Sequence, residues 1–265
     1  PGGLLIADAD SARVLRKLGG LSMNRIKTLI HTHTDYSYDS NISLQTLARF
    51  AESERFGCLA VTDHDTIEGA LRLRSMTDAK VIVGEEITTR DGHLIGLFLK
   101  ERIPPDMSAH ETVRAIRAQG GLVFLPHPFV KMFGCGVGKL AWELADVVDA
   151  VEVNNAQNLR RIPEQRAHDL ADQFNLPAYV GSDCHIASSI APCYQVMPDF
   201  DGPAEFLESL RVAELTEGHH PLGYFVQIAR QILRSMARMP LPVGVGTNSP
   251  VDYLGTPRPV PVMAD

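Results

Sequence analysis

The apolar positions of this chain follow two rhythms. Short continuous runs, Cys58-Leu59-Ala60-Val61, Val81-Ile82-Val83, Leu122–Leu125, Val148–Val153 and Ala178–Val180, alternate with stretches whose apolar residues recur at helical spacing. Continuous runs of this length suit parallel strands buried on both faces. The stretches between them predict helices. One opens at Ser43, shows Leu44, Leu47, Ala48 and Ala51 on one face, and stops at Gly57. A second lies around Ile67–Met76. A third starts in the capping box Ser108-Ala109-His110-Glu111 and runs to Gly120-Gly121. A fourth covers Pro163–Phe174, with proline near its first turn. Leu29-Ile30 and the segment from His93 to Leu99 bring the strand candidates to about seven. Pro203–Leu210 and Phe225–Met239 read as later helices, the second amphipathic and expected to pack on the barrel. Strands alternating with helices predict a parallel α/β barrel or a near relative, with an open doubly wound sheet as the alternative.

What favours the barrel is the residue type at the strand ends. Leu29-Ile30 runs into His-Thr-His-Thr-Asp-Tyr-Ser-Tyr-Asp-Ser (31–40), and later strands end in Thr62-Asp63-His64-Asp65-Thr66, Gly84-Glu85-Glu86, Pro126-His127-Pro128, Asn154-Asn155 and Gly181-Ser182-Asp183-Cys184-His185. In a closed barrel these ends meet at one mouth; along an open sheet edge fewer could meet. His31 and His33, two apart on an extended segment, are expected to point the same way. Six histidines, His31, His33, His64, His93, His127 and His185, lie at strand ends or beside strands. With Asp39, Glu86 and Asp183 they make nine nitrogen and oxygen ligands. So many ionisable groups at one mouth would repel or titrate unless divalent cations resolved the charge. Imidazole and carboxylate without thiolate suit Zn, Mn or Fe, and nine ligands call for two or three ions.

Composition narrows the class. The 265 residues are 45% hydrophobic and 22% charged, within the range of one barrel domain. Residues 27–239 are expected to form that domain. Residues 1–26 are set apart as an N-terminal extension, with Met23 as an alternative start and a short helix from Asp8 to Leu18. Residues 240–265, rich in Pro and Gly, form a tail. The net charge of −7 argues against holding duplex nucleic acid on a basic surface. Four cysteines without a CxxC pair read as reduced thiols of a cytoplasmic protein. No apolar run is long enough to span a membrane. Oligomeric state leaves no mark on the sequence.

As a set, HTHTDYSYDS, VTDHDT, GEEI, the His of HLIGL, PHP and GSDCH resemble the PHP family, named for polymerase and histidinol phosphatase, across residues 26–190. The resemblance implies a distorted (β/α)7 barrel with a two- or three-metal site at the C-terminal ends of the strands. It would place His31, His33, Glu86 and Asp183 on one ion. Glu86 would bridge to a second held by His93 and His127, and Asp39, His64 and His185 would take a third. Aspartate at 39, where some members have histidine, is similar to the branch acting on small phosphates and short nucleotides.

The expected activity is metal-dependent hydrolysis of phosphate esters of small molecules, nucleotides or short oligonucleotides. A water deprotonated between two ions would attack phosphorus in line. His33, Asp183 and His185 are the expected catalytic residues. Histidinol-phosphate phosphatase, an amidohydrolase-type carbonyl hydrolase and a non-catalytic metal-stabilised module are the alternatives. Lys131, Arg160 and Asn154 are candidates for meeting substrate. Asp63 and Asp65, flanking His64, either orient an imidazole or cap the next helix. Tyr36 and Tyr38 either stack on a substrate ring or pack their loop. Cys184 reads as structural, and His168, His219 and His220 are given no role.

Overall fold

The structure is a computed structural model that describes residues 24–131, 134–158 and 161–238. Its strands are β1 (Arg25–Thr32), β2 (Phe56–Val61), β3 (Lys80–Thr89), β4 (Gly92–Leu97), β5 (Leu122–Leu125), β6 (Ala150–Asn155), β7 (Ala178–Gly181), β8 (Tyr194–Pro198) and β9 (Glu214–Thr216). Its helices are α1 (Leu44–Glu54), α2 (Glu68–Leu73), α3 (Ala109–Ala118), the single turn α4 (Ala141–Leu144), α5 (Arg161–Phe174), α6 (Gly202–Arg211) and α7 (Leu222–Arg238). The sheet order is β7-β6-β5-β4-β3-β2-β1-β8-β9. Its first and seventh strands also meet. Ser182 N–H donates to Ile30 O (3.1 Å), Asp183 N–H to His31 O (2.7 Å) and His33 N–H to Cys184 O (3.3 Å). Strands β1 to β7 therefore form a nearly closed barrel, and β8-β9 is an antiparallel strap on the outside of β1. The barrel expectation holds, and the distortion has a place: β4 runs antiparallel to both β3 and β5.

Two apolar sets hold this shape. Ile30, Ala60, Ile82, Ile95, Phe124 and Tyr179 fill the barrel interior, and Phe206 of α6 packs among them with Phe98 and Phe200. A fully buried phenylalanine of this kind contributes about 1.5–3 kcal/mol. The second set lies between the strands and helices α1 to α5. Local signals set the helix starts. Ser43 accepts the Thr46 N–H, and Ser108 and Glu111 form the expected reciprocal capping box.

Several boundaries differ from expectation. Arg55, not Gly57, ends α1: it adopts the left-handed conformation (φ 57°), and Gly57 lies inside β2. β3 runs ten residues and turns directly into β4, so Glu85 and Glu86 sit in mid-strand rather than at a strand end. Asn154 and Asn155 belong to β6 rather than to a turn. β8 and β9 lacked a readable signal, because short half-exposed antiparallel strands have neither the continuous nor the helical pattern. Phe225–Met239 corresponds to α7, but Leu222, Val226 and Leu233 are exposed, so only part of its apolar surface meets the barrel. The Asp8–Leu18 helix and the 240–265 tail lie outside the described residues. Among the described residues no helix is long and apolar enough to cross a membrane.

Candidate metal centre

All nine expected ligands come to the mouth of the barrel. β1 delivers His31 and the loop after it His33 and Asp39; the loop after β2 delivers His64; β3 delivers Glu86. The turns after β5 and β7 deliver His127, Asp183 and His185. His93 arrives by another route. It opens β4, and because that strand is antiparallel its N-terminal end lies at the mouth. The expectation of C-terminal strand ends fails for this residue. Regular alternation does not explain the convergence of His31 and His33 either. Pairing of β1 with β2 shifts register after Leu29, and His31 has φ 62°. His127 (φ 27°) and Asp183 (φ 48°) share this left-handed backbone, a strain that clusters at functional sites.

Glu86 is the hub. Its Oε2 lies 3.2 Å from His31 Nε2 and 3.1 Å from His33 Nε2, and its Oε1 lies 2.7 Å from His93 Nδ1 and 3.0 Å from His127 Nε2. Asp183 Oδ1 is 3.5 Å from the Nε2 atoms of both His31 and His33. On the far side, Asp39 Oδ2 sits between His185 Nε2 (3.3 Å) and His64 Nε2 (3.5 Å). Among the described residues three groups have ligand atoms within 4.8 Å of one another: His31, His33, Glu86 and Asp183; His64, Glu86 and His93; His33, His64 and His185. The first matches the expected four. In the second His64 stands where His127 was expected, and in the third His33 stands where Asp39 was expected.

The donors fit divalent ions. His31 Nδ1 donates to Glu152 Oε1 (2.7 Å), His33 Nδ1 to Ser37 Oγ (2.9 Å) and His185 Nδ1 to the Asp183 carbonyl (2.9 Å). Each bond assigns the proton to Nδ1 and leaves the Nε2 lone pair facing the cluster. His33 Nε2, Asp39 Oδ1, His64 Nδ1 and His127 Nδ1 are buried without a hydrogen-bond partner. Charge points the same way. Burial opposes ionisation of His31, but Asp183, Glu152 and Glu86 outweigh it and hold the imidazole well above its usual range. Burial likewise opposes the charge on His64, which Glu86 and Asp39 nonetheless push up to about 10. For Glu86, Asp183 and Asp39, burial is outweighed by the surrounding imidazoles, and all three carboxyls are held well below the carboxylate range. Without metal, protons do the work that cations could do.

The remaining candidates divide. Asp63 is buried and braces the loop: Thr34 N–H (2.5 Å) and Ser37 Oγ (3.0 Å) donate to Oδ1, and Thr34 Oγ1 donates to Oδ2 (2.7 Å). Through Ser37 it orients His33, and it caps no helix. Asp65 Oδ1 accepts the Thr88 N–H (2.8 Å) and so braces β3. Asn154 is buried and turned from the mouth, donating to Glu164 (3.0 Å) and accepting the Gly218 N–H (3.2 Å). Lys131 is exposed and forms no ion pair among the described residues, and Arg160 lies outside them. Tyr38, half exposed, stacks on His64 at 5.3 Å, whereas Tyr36 lies under Arg72. Cys184 is buried in the outer core, as expected of a structural thiol.

Sequence reasoning missed Glu152. It is buried in β6, accepts from His31 Nδ1, and also accepts the His127 N–H (2.7 Å) and Asn155 Nδ2 (2.9 Å). The signal was there: one carboxylate inside the apolar run Ala150-Val-Glu-Val153 needs a buried partner. Asn155, one of the polar strand-end residues, also donates to Asp183 Oδ2 (3.0 Å), whereas Ser37 was missed because hydroxyls are common in turns.

Comparison with known proteins agrees with this fold. A family model described as PHP domain matches residues 30–125, and one described as PHP-associated matches residues 161–215. The uncharacterized protein MJ1587 of Methanocaldococcus jannaschii is 34% identical over 144 residues, 49% of this chain and 82% of that protein. Among solved structures, a two-domain protein of Bacteroides vulgatus, described as containing a predicted PHP-like metal-dependent phosphoesterase, superposes with TM-score 0.63 at 16% identity, over 80% of this chain and 70% of that one. A lesion-specific endonuclease of Pyrococcus furiosus superposes with TM-score 0.53 at 14% identity, over 72% and 58%. At such identities the structural likeness concerns the fold.

Proposed function

We propose, from the premise that this chain belongs to the PHP family, that it is a metal-dependent phosphoester hydrolase acting on small phosphate esters, nucleotides or short oligonucleotides. The observation that carries the reading is the hub: one buried carboxylate, Glu86, within 3.5 Å of five imidazoles whose cluster includes three overlapping metal-sized groups. Two or three divalent ions, Zn, Mn or Fe, would supply Lewis-acid activation of a water and neutralise charge on the phosphoryl oxygens.

The chain's own residues do the rest. His31, His33 and Asp183 would hold one ion with Glu86; Glu86 would share a second with His93, with His64 and His127 beside it; Asp39, His64 and His185 would hold the third. Glu152 and Ser37 keep the His31 and His33 rings turned so that Nε2 faces inward. His185 keeps its Nδ1 proton on the Asp183 carbonyl, which leaves its Nε2 lone pair beside Asp39. Tyr38 offers a half-exposed ring there for a planar leaving group. The acidic net charge supports short substrates rather than long duplexes.

The test is elemental analysis of protein purified without chelator, paired with hydrolysis of an aryl phosphate and a short oligonucleotide. Two or more equivalents of transition metal are expected, with cleavage abolished by chelator and by His33→Ala in a variant that still folds. Full activity of His33→Ala in the presence of metal would falsify the site. Cleavage of an amide or lactone without phosphoester cleavage would favour the carbonyl-hydrolase alternative, and metal without any cleavage the non-catalytic one.

A further inference from the structure

The turn that carries Asp183 and His185 is held from behind by residues outside every motif. The Tyr224 hydroxyl, at the start of α7, donates to the Asp183 carbonyl (3.2 Å) and accepts the His185 N–H (3.0 Å). One oxygen thus joins the two ends of the turn. The Tyr224 ring is buried and stacks on His220, with centroids 3.7 Å apart and planes 3° from parallel. His220 is itself fixed at three points. Its Nε2 donates to the Ser182 carbonyl (2.9 Å), its Nδ1 accepts from Ser189 Oγ (2.7 Å), and its backbone N–H donates to Ala156 O (2.8 Å).

We infer that Tyr224, seated on His220, is a positioning residue that sets the spacing of Asp183 and His185, so that the segment from Gly218 into α7 completes the metal centre from behind. The inference rests on the metal-centre reading above. Neither side chain belongs to the three metal-sized groups, so neither is offered as a ligand. The need for a clamp is visible in the turn. Asp183 holds the left-handed backbone at φ 48°, which a non-glycine residue keeps only where its surroundings impose it. Its carbonyl accepts from Tyr224, from Gln157 Nε2 (2.8 Å) and from His185 Nδ1 (2.9 Å). Asp183 belongs to the group with His31, His33 and Glu86, and His185 to the group with His33 and His64, with Asp39 beside it. A small rotation of the turn would therefore misplace two groups at once. Tyr224 is the contact that grips both residues by their backbone, independently of any ion.

The experiment is a titration of the metal-free protein with Co2+, followed by its visible spectrum, for the wild type and Tyr224→Phe. The substitution keeps the ring and its stack and removes only the hydroxyl. The expected result is a roughly 10–100-fold loss of affinity for the weakest-held ion, the range seen when a partner of a ligand is removed. An altered cobalt spectrum and a kcat restored by excess metal should accompany it. His220→Phe, which keeps a stacked ring and removes both side-chain hydrogen bonds, should shift affinity the same way by less. It carries the test if Tyr224→Phe fails to fold. A variant that melts earlier but binds Co2+ with wild-type affinity and spectrum overturns the clamp and leaves the metal centre standing. A wild type that takes up no Co2+ overturns the metal centre, and the clamp with it.

Discussion

Strand β3 carries two adjacent carboxylates, and its two faces treat them in opposite ways. Glu86 points to the mouth, where five imidazoles surround it and hold it ionised against the cost of burial. Glu85 points to the other face. There it accepts one backbone N–H, from Ile103 (2.8 Å), and lies 3.8 Å from Arg102. Burial dominates on that side and pushes its carboxyl up to about 8, so it is protonated at neutral pH. Both side chains are buried and both follow the same glycine in sequence. Burial alone does not make a buried acid functional; the company of opposite charge does.

The largest break in that contrast is Glu86→Gln. It removes the hub carboxylate and should lose most of the bound metal and abolish turnover, with circular dichroism unchanged; elemental analysis reads it directly. Glu152→Gln comes next. It keeps the shape but weakens the grip on His31 Nδ1, and metal affinity should fall about 10–100-fold, measurable by chelator competition. Asp39→Asn should be milder, about tenfold in activity at limiting metal and largely recovered when metal is added. That recovery would mark the Asp39 side as the looser part of the centre.

Glu85→Gln is the smallest and has the opposite sign. A carboxyl whose pKa is raised on folding keeps its proton while the unfolded chain loses it, so wild-type stability falls as pH rises from the ordinary carboxylate range to about 8. The amide keeps an acceptor for Ile103 and removes that dependence. Melting curves should show little change near pH 4 and a gain of up to roughly 10 °C at pH 8, with activity unaltered. A Glu85→Gln variant that loses metal would erase the distinction between the two faces.

Much of this centre could be read before the fold was seen, because imidazoles and carboxylates at strand ends have few structural reasons to be there. His31, His33, His64 and Asp183 announce themselves in short motifs. The capping box at Ser108 did the same for α3, since its chemistry is local. What could not be read depends on direction or on distance along the chain. The reversal of β4 brings His93 to the mouth from the wrong end of its strand, and no periodicity records which way a strand runs. Glu152 acts on His31 from 121 positions away, and Tyr224 on His185 from 39. Ser37 and Asn155 matter through hydrogen bonds to partners distant in sequence, Asp63 for one and Asp183 for the other, which residue type alone does not reveal.

The seam between β1 and β7 bears on how the chain folds. The hydrogen bonds that close the ring join Ile30, His31 and His33 to Ser182, Asp183 and Cys184, so the seventh strand of the ring docks through the segment that carries candidate ligands. Contacts this distant form late, because the entropy of closing so long a loop must be met first. A nascent chain that ends before β7 lacks Asp183 and His185 and presents seven of the nine candidate ligands. Ion uptake would then work as a test of completion, drawing the equilibrium toward chains whose ring has closed.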